Sequence, residues 1–538
     1  TDDHHTPSVV RYQAALHPVF ILYFRILDLI YCYIISVLKS SMSIVECKAG
    51  KFEGLYQDSC HQFFGIPYAK YNQRWEQSYL ISEALNIKVT NKGFSAPQTR
   101  FNDENLSGPS FFQDNSLSKQ SEDCLTLNIS SNDLKACNPV MIWIHGGALV
   151  TGGSSSMMYE LKHLAKRDVV VVSINYRLGP LGFLRLNEVT NGEISSTGNE
   201  GLIDQRNAIM WVNENISSFG GDPNNITIFG ESAGSWSCNL QIAADHDGLF
   251  NKAICQSGGL DAIATKEKAN KWAEFFITQF KKDGFEPRDL RSCSWQKIIE
   301  TAKKLRHSKL SDGKKWIFPE VGFLPVIDND FIKDNYLETY SYSDVDLIAG
   351  TTLDEYKLWS TFHPQIGRGQ KDYITKRLLK MFRSENLHEL LSIYEEYLNN
   401  DEIGDIYSAI LTDICFGIPT HKTLQKKKGN SFGYLFSTQS TVLDGKLGSF
   451  HASELPYVFG VHSKKPYLNW VPQGSETISN NLQKPWTNFC KLSDPSFGDF
   501  TWNPYNDSFE LALIGTDIRN LRNPFLERYE FIEKYKIF

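Results

Sequence analysis

Thr227-Ile228-Phe229-Gly230-Glu231-Ser232-Ala233-Gly234 decides how the chain is read. An apolar, β-like run ends in Gly-Glu-Ser-Ala-Gly, and 235–244 then carries helical spacing. A strand that turns abruptly into a helix through G-x-S-x-G is the nucleophile-elbow pattern, which lifts one serine above the end of a sheet. Side chains on the flanking glycines would collide with neighbouring backbone at so sharp a bend. At the mouth of the helix, Ser232 sits where the helix dipole favours developing negative charge. Five residues alone match by chance in a long chain; the strand before them and the helix after them give the pattern its specificity.

Outward from the elbow, 140–144, 169–176, 226–229, 252–256, 345–349 and 433–436 are short apolar runs. Such runs, rich in β-branched residues, suit central strands of a mostly parallel sheet buried on both faces. Helical segments such as 203–216 separate them. This alternation predicts an α/β architecture, a central mostly parallel sheet with flanking helices, and one catalytic domain over 42–538. Shorter strands are expected at 44–47, 50–56 and 62–69, with a loop-rich stretch to 120 and a strand led in by 121–128. The aromatic-rich 262–340 and 356–430 read as helical insertions that roof the sheet edge over the site.

Length alone allows two or three domains in 538 residues, but no linker interrupts 44–538. The net charge is −7 and the longest run of like charge is Lys426-Lys427-Lys428, so nucleic-acid binding has no electrostatic footprint. Ten cysteines are scattered without a CxxC or zinc-like spacing, which points to free thiols and no metal. Residues 1–41 form an apolar N-terminal extension outside the core. Within it 19–38 is long enough to span a bilayer but is interrupted by Arg25 and Asp28. It reads as an appended leader, a weak membrane anchor or an amphipathic helix lying on the protein. Any membrane contact rests on that run.

A serine nucleophile needs a base, an acid that orients the base, and donors for an oxyanion. The donors come first in sequence. His145-Gly146-Gly147-Ala148 follows the strand 140–144, and glycines there let backbone N–H groups approach a substrate oxygen. The acid and the histidine follow the serine in this fold. His451, in Gly448-Ser449-Phe450-His451-Ala452-Ser453-Glu454, lies in a loop after 433–436 and competes with His307, His363, His388, His421 and His462. Strand 345–349 leads into Gly350-Thr351-Thr352-Leu353-Asp354-Glu355, where order and placement do not choose between Asp354 and Glu355.

The chain resembles the type-B carboxylesterases, the carboxylesterase/cholinesterase family of the α/β-hydrolase fold. The resemblance rests on Phe63-Phe64-Gly65-Ile66-Pro67-Tyr68-Ala69, Ser121-Glu122-Asp123-Cys124-Leu125-Thr126-Leu127-Asn128, His145-Gly146-Gly147-Ala148 and Asn175-Tyr176-Arg177. Phe219-Gly220-Gly221-Asp222-Pro223, the elbow, Gly350 to Glu355 and His451-Ala452-Ser453-Glu454-Leu455-Pro456-Tyr457-Val458-Phe459-Gly460 extend it over about 44–538. It implies a carboxylic ester hydrolase working through an acyl-enzyme on small-molecule esters, without a cofactor. Ser232 is then the nucleophile, Glu355 the acid, His451 the general base, and the amides of Gly147, Ala148 and Ala233 the oxyanion donors. Ser257, in Gln256-Ser257-Gly258, resembles a serine that supports the triad. A histidine base implies that activity falls on acidification through about 6.5–7.

Three departures stand beside the resemblance. Ala96 precedes Pro97-Gln98 where the family has a cysteine bonded to the one at Cys124. Reduced thiols and a cytoplasmic location follow; the alternative is a secreted or anchored protein exported through 19–38. Residues 99–120 carry Phe101, Phe111 and Phe112 but no tryptophan, the residue with which cholinesterases hold choline. Neutral esters are therefore expected over choline esters. Some family members are adhesion modules without a working nucleophile, whereas all three triad positions are present here. A silent binding module and a choline-ester hydrolase are the competing readings.

Overall fold

A computed structural model describes residues 41–99, 114–305, 322–472, 474–505 and 508–537. The apolar run 19–38 and the phenylalanines at 101, 111 and 112 lie outside them. Twelve strands form the main path of one sheet: β1 Ser41–Cys47, β2 Gly50–Gln57, β3 Cys60–Pro67, β4 Thr126–Ser131, β5 Asn138–Ile144, β6 Val170–Ile174, β7 Gly221–Glu231, β8 Lys252–Gln256, β9 Asp346–Thr352, β10 Ser431–Phe436, β11 Glu510–Ile514 and β12 Ile518–Arg522. A further short strand, Leu85–Lys88, pairs with β2. The spatial order is β1-β2-β3-β4-β6-β5-β7-β8-β9-β10-β11-β12. From β6 to β11 every pairing is parallel. The outer strands are antiparallel. Ser41, assigned to the extension on sequence, already pairs with Tyr56 in β1.

Successive side chains of a strand point to opposite faces, so a strand covered on both faces must be apolar throughout. In β5, Val140, Ile142 and Ile144 join one buried core while Met141 and Trp143 join the core on the other face. Burying these runs at about 25 cal/mol per Å² of apolar surface is the main drive that fixes the sheet's centre. The helices used below are α1 Lys162–Ala165, α2 Glu200–Asn215, α3 Ala233–Ala243, α4 Lys266–Lys282, α5 Trp295–Leu305, α6 Ser384–Leu398, α7 Ile403–Thr412, α8 Leu455–Val458 and α9 Ser475–Leu492. Helices α4 and α5 fill the excursion between β8 and β9, and α6 and α7 that between β9 and β10, so both insertions are helical as expected. The strands β11 and β12 were not expected from sequence. Among the described residues no helix is long and apolar enough to cross a membrane.

Candidate active site

The chain leaves β7 at Glu231 and enters α3 at Ala233, leaving Ser232 alone to make the turn at φ 56°, ψ −120°. A non-glycine residue at positive φ is strained, and such strain gathers at functional positions. The turn closes only because nothing projects from Gly234: a Cβ there would stand 2.0 Å from the carbonyl oxygen of Ile144. The Ser232 amide donates to Gln256 O at 2.8 Å, which ties the elbow to β8. While Glu231 and Ala233 to Ala243 are buried, Ser232 keeps partial exposure.

The expected oxyanion loop lies against this turn. A Cβ on Gly146 would approach Ser232 Cβ to 3.2 Å. Gly147 and Ala148 both take positive φ, at 109° and 54°. Gly147 O accepts from Val150 N and Thr151 N, at 3.0 and 2.9 Å, which curls the loop on itself. Gln98 braces it by accepting from Gly152 N and donating to Gly152 O, both at 2.8 Å. The Ala233 N–H opens α3, where no carbonyl four residues back exists to receive it.

Strand β9 delivers Glu355 and the loop after β10 delivers His451. His451 Nδ1 donates to Glu355 Oε2 at 2.5 Å. The other carboxylate oxygen, Oε1, accepts from Ser257 Oγ at 2.5 Å and from Thr352 N at 2.8 Å. Ser257 thus stands where the resemblance put it. Asp354 points elsewhere. Its amide donates to Ser449 O at 2.8 Å, its Oδ2 accepts from Ser449 N at 2.9 Å, and its Oδ1 meets Lys357 Nζ at 2.9 Å. It clasps the loop of Glu355 to the loop of His451.

Sequence reasoning gave no role to four residues that crowd the imidazole. Glu231 Oε1 lies 3.0 Å from His451 Nε2, at ion-pair distance but not aligned as a hydrogen bond. No hydrogen bond joins Ser232 Oγ to the imidazole among the described residues. Glu454 is buried and accepts from Gln256 Nε2 at 2.9 Å. Trp359 and Phe416 pack on the His451 ring at centroid distances of 5.0 and 4.8 Å. Phe416 comes from a single π-helical turn, Asp413–Gly417, of the kind that often marks functional positions. Only Glu231 carried a local signal, its place inside the elbow motif.

These carboxylates set the electrostatics. Burial alone disfavours a charged imidazole, yet the charges of Glu231 and Glu355 outweigh it and lift His451 to about 9. Burial raises Glu231 to about 8, and burial with the nearby charge of Glu355 raises Glu454 to about 7. His145 is buried, stacked 4.5 Å from Tyr176, and pushed down to about 4, so it stays neutral beside the oxyanion loop.

Comparison with known proteins gives the family. A model described as the carboxylesterase family matches residues 41–531. Bile salt-activated lipase of Mus musculus is 31% identical, over 88% of this chain and 83% of that protein. Para-nitrobenzyl esterase of Bacillus subtilis (strain 168) is 31% identical, over 88% of this chain and 94% of that one. Among solved structures, a thermophilic PNB esterase superposes with a TM-score of 0.76 at 28% identity, covering 91% of this chain and all of that one. A carboxylesterase of Geobacillus stearothermophilus gives the same TM-score and identity.

Proposed function

The chain belongs to the carboxylesterase family and is a carboxylic ester hydrolase of the α/β-hydrolase fold, and from that premise we propose that Ser232, His451 and Glu355 carry its chemistry. The observation that supports this reading most is the 2.5 Å bond from His451 Nδ1 to Glu355 Oε2 beside a strained serine turn. Ser232 Oγ attacks the ester carbonyl while His451 Nε2 takes its proton. The amides of Gly147, Ala148 and Ala233 receive the oxyanion of the tetrahedral intermediate. His451 then protonates the departing alcohol, and water repeats the attack on the acyl-enzyme. Glu355 holds the imidazole in one tautomer and stabilises its charge. Acyl-enzyme formation is tested by a stoichiometric burst of chromophore from an activated ester; an active preparation that forms no Ser232 adduct under trapping counts against it.

His451 must be neutral to accept a proton, and nearby carboxylates raise its pKa above the ordinary histidine value. Activity is therefore lost as pH falls through a midpoint above the 6.5–7 that the sequence alone suggests. Replacing Glu231 by Gln removes a negative charge beside Nε2. The acid limb of kcat/KM should then move down by about one to three pH units. An unmoved limb would show that Glu231 does not act on the base.

The substrates we propose are neutral esters of short to medium acyl chains. No tryptophan stands in 99–120, and Trp359 and Phe416 pack on the imidazole itself. At matched acyl length, a neutral ester should be cleaved faster than its choline counterpart; the reverse would make Trp359 and Phe416 a platform for the cation.

For location we propose a reducing, cytoplasm-like compartment. Cys47, Cys60, Cys124, Cys137, Cys238, Cys255, Cys293, Cys415 and Cys490 are all free, and the position of the family's partner for Cys124 holds the buried Ala96. Labelling of unfolded, unreduced protein should modify nearly all ten thiols. Two or more blocked pairs would overturn the assignment.

A further inference from the structure

A pocket of about 330 Å³ lies between α1 and α9, on residues the triad does not use. His163, Lys166 and Arg167 line one side, and His462, Glu476 and Gln483 the other. The volume falls in the range of small-molecule sites, about 300–1,000 Å³.

Its charge is unbalanced in a particular way. Arg167 is held by Nε on Gln483 Oε1 at 2.7 Å and by Nη2 on Asn480 Oδ1 at 2.6 Å. Both acceptors are amide oxygens, which aim a guanidinium without neutralising it. Gln483 is itself fixed, its Nε2 donating to Tyr457 O and Val458 O at 3.1 Å. The platform under the cation is therefore rigid. Among the described residues neither Lys166 nor Arg167 forms an ion pair. The nearby Glu160 is already engaged by Lys464 and by Lys162. Glu476, with a side chain 78% exposed, stands at the rim 3.3 Å from His462 Nε2. His163 Nε2 is turned to Glu160 as well, 3.5 Å from its Oε2.

Adjacent cations repel, and a guanidinium fixed in direction but left uncompensated suits a planar bidentate acceptor. A dianion matches the pair Lys166 and Arg167. The cavity exceeds what a bare ion fills, and the rim carboxylate of Glu476 is an acceptor for a hydroxyl. We propose that this pocket binds a small hydroxylated phosphomonoester, its phosphate on Lys166 and Arg167 and its hydroxyl on Glu476. The competing reading is that Arg167 is only a strut joining the end of α1 to α9.

Calorimetry on the full chain at fixed ionic strength separates the two, with glycerol 3-phosphate, inorganic phosphate and glycerol as titrants. Saturable binding of glycerol 3-phosphate is expected. Lys166→Glu, at an exposed position, should weaken it at least about tenfold, the worth of one charge-assisted hydrogen bond. Hydrolysis of a p-nitrophenyl ester should be unchanged in that variant. Arg167→Lys keeps the charge, loses the fork and should also weaken binding. Weaker binding of inorganic phosphate assigns the site to the phosphomonoester, and equal binding assigns it to the free ion. No saturable binding up to about 20 mM, or equal affinity in Lys166→Glu, overturns the proposal.

Discussion

Ser232→Ala should lower kcat by about four to six orders of magnitude and leave the fold intact. Among the described residues the hydroxyl forms no hydrogen bond, so its removal orphans no buried partner there and costs little stability. What disappears is the atom that forms the acyl bond. The residual rate should reflect the oxyanion donors and substrate binding alone. Purified protein that retains a tenth of the parent activity would remove Ser232 from its assigned role.

Glu355→Gln should lower kcat by about three to four orders of magnitude, and Asp354→Asn by no more than about tenfold. The argument turns on which oxygen the amide replaces. Oε1 receives two donors, Ser257 Oγ and the Thr352 N–H, and the backbone donor cannot turn away. The glutamine oxygen must stay there, which puts its NH₂ against His451 Nδ1. Donating to Nδ1, that amide holds the imidazole in the tautomer whose Nε2 carries hydrogen, and such a base cannot accept from Ser232. Asparagine at 354, by contrast, keeps an acceptor for Ser449 N and forfeits only the ion pair to Lys357. Steady-state kinetics on the two variants decide the matter, and the opposite ranking would make Asp354 the acid.

Much of this was legible in the chain because the elements that hold the site obey simple periodicities. Runs such as 140–144 and 252–256 are apolar on both faces because both faces are buried, and they appear as strands close to their expected bounds. The strand β12 was missed for the opposite reason, whereas β11, with Leu511, Ala512, Leu513 and Ile514, is an apolar run of the same kind as those found. β12 is a sheet edge whose burial is incomplete, and a five-residue strand with Arg519, Asn520 and Arg522 carries no apolar signature. Order along the chain left Asp354 and Glu355 undecided, since adjacent residues share a loop and differ only in the side chain's direction. The surroundings of His451 were illegible for a further reason. Glu231, Trp359 and Phe416 reach it from three separate segments, and no local spacing records such a convergence, while Glu454 lies on the same segment as His451.

The clasp between Asp354 and Ser449 bears on how such a chain can change over generations. The excursion between β9 and β10 leaves the sheet beside Glu355 and returns at Ser431, and His451 lies in the loop that follows β10. Its first foot is pinned to the loop after β10 by the paired bonds of Asp354 with Ser449 and by Leu353 N on Phe436 O at 2.9 Å, and its second is held by the pairing of β10 with β9. Lengthening a loop whose ends are already fixed costs little, about 0.6 kcal/mol for each doubling. Insertions and deletions beyond the clasp are therefore absorbed without displacing Glu355 and His451. Selection can remodel that excursion while Glu355 and His451 stay in register.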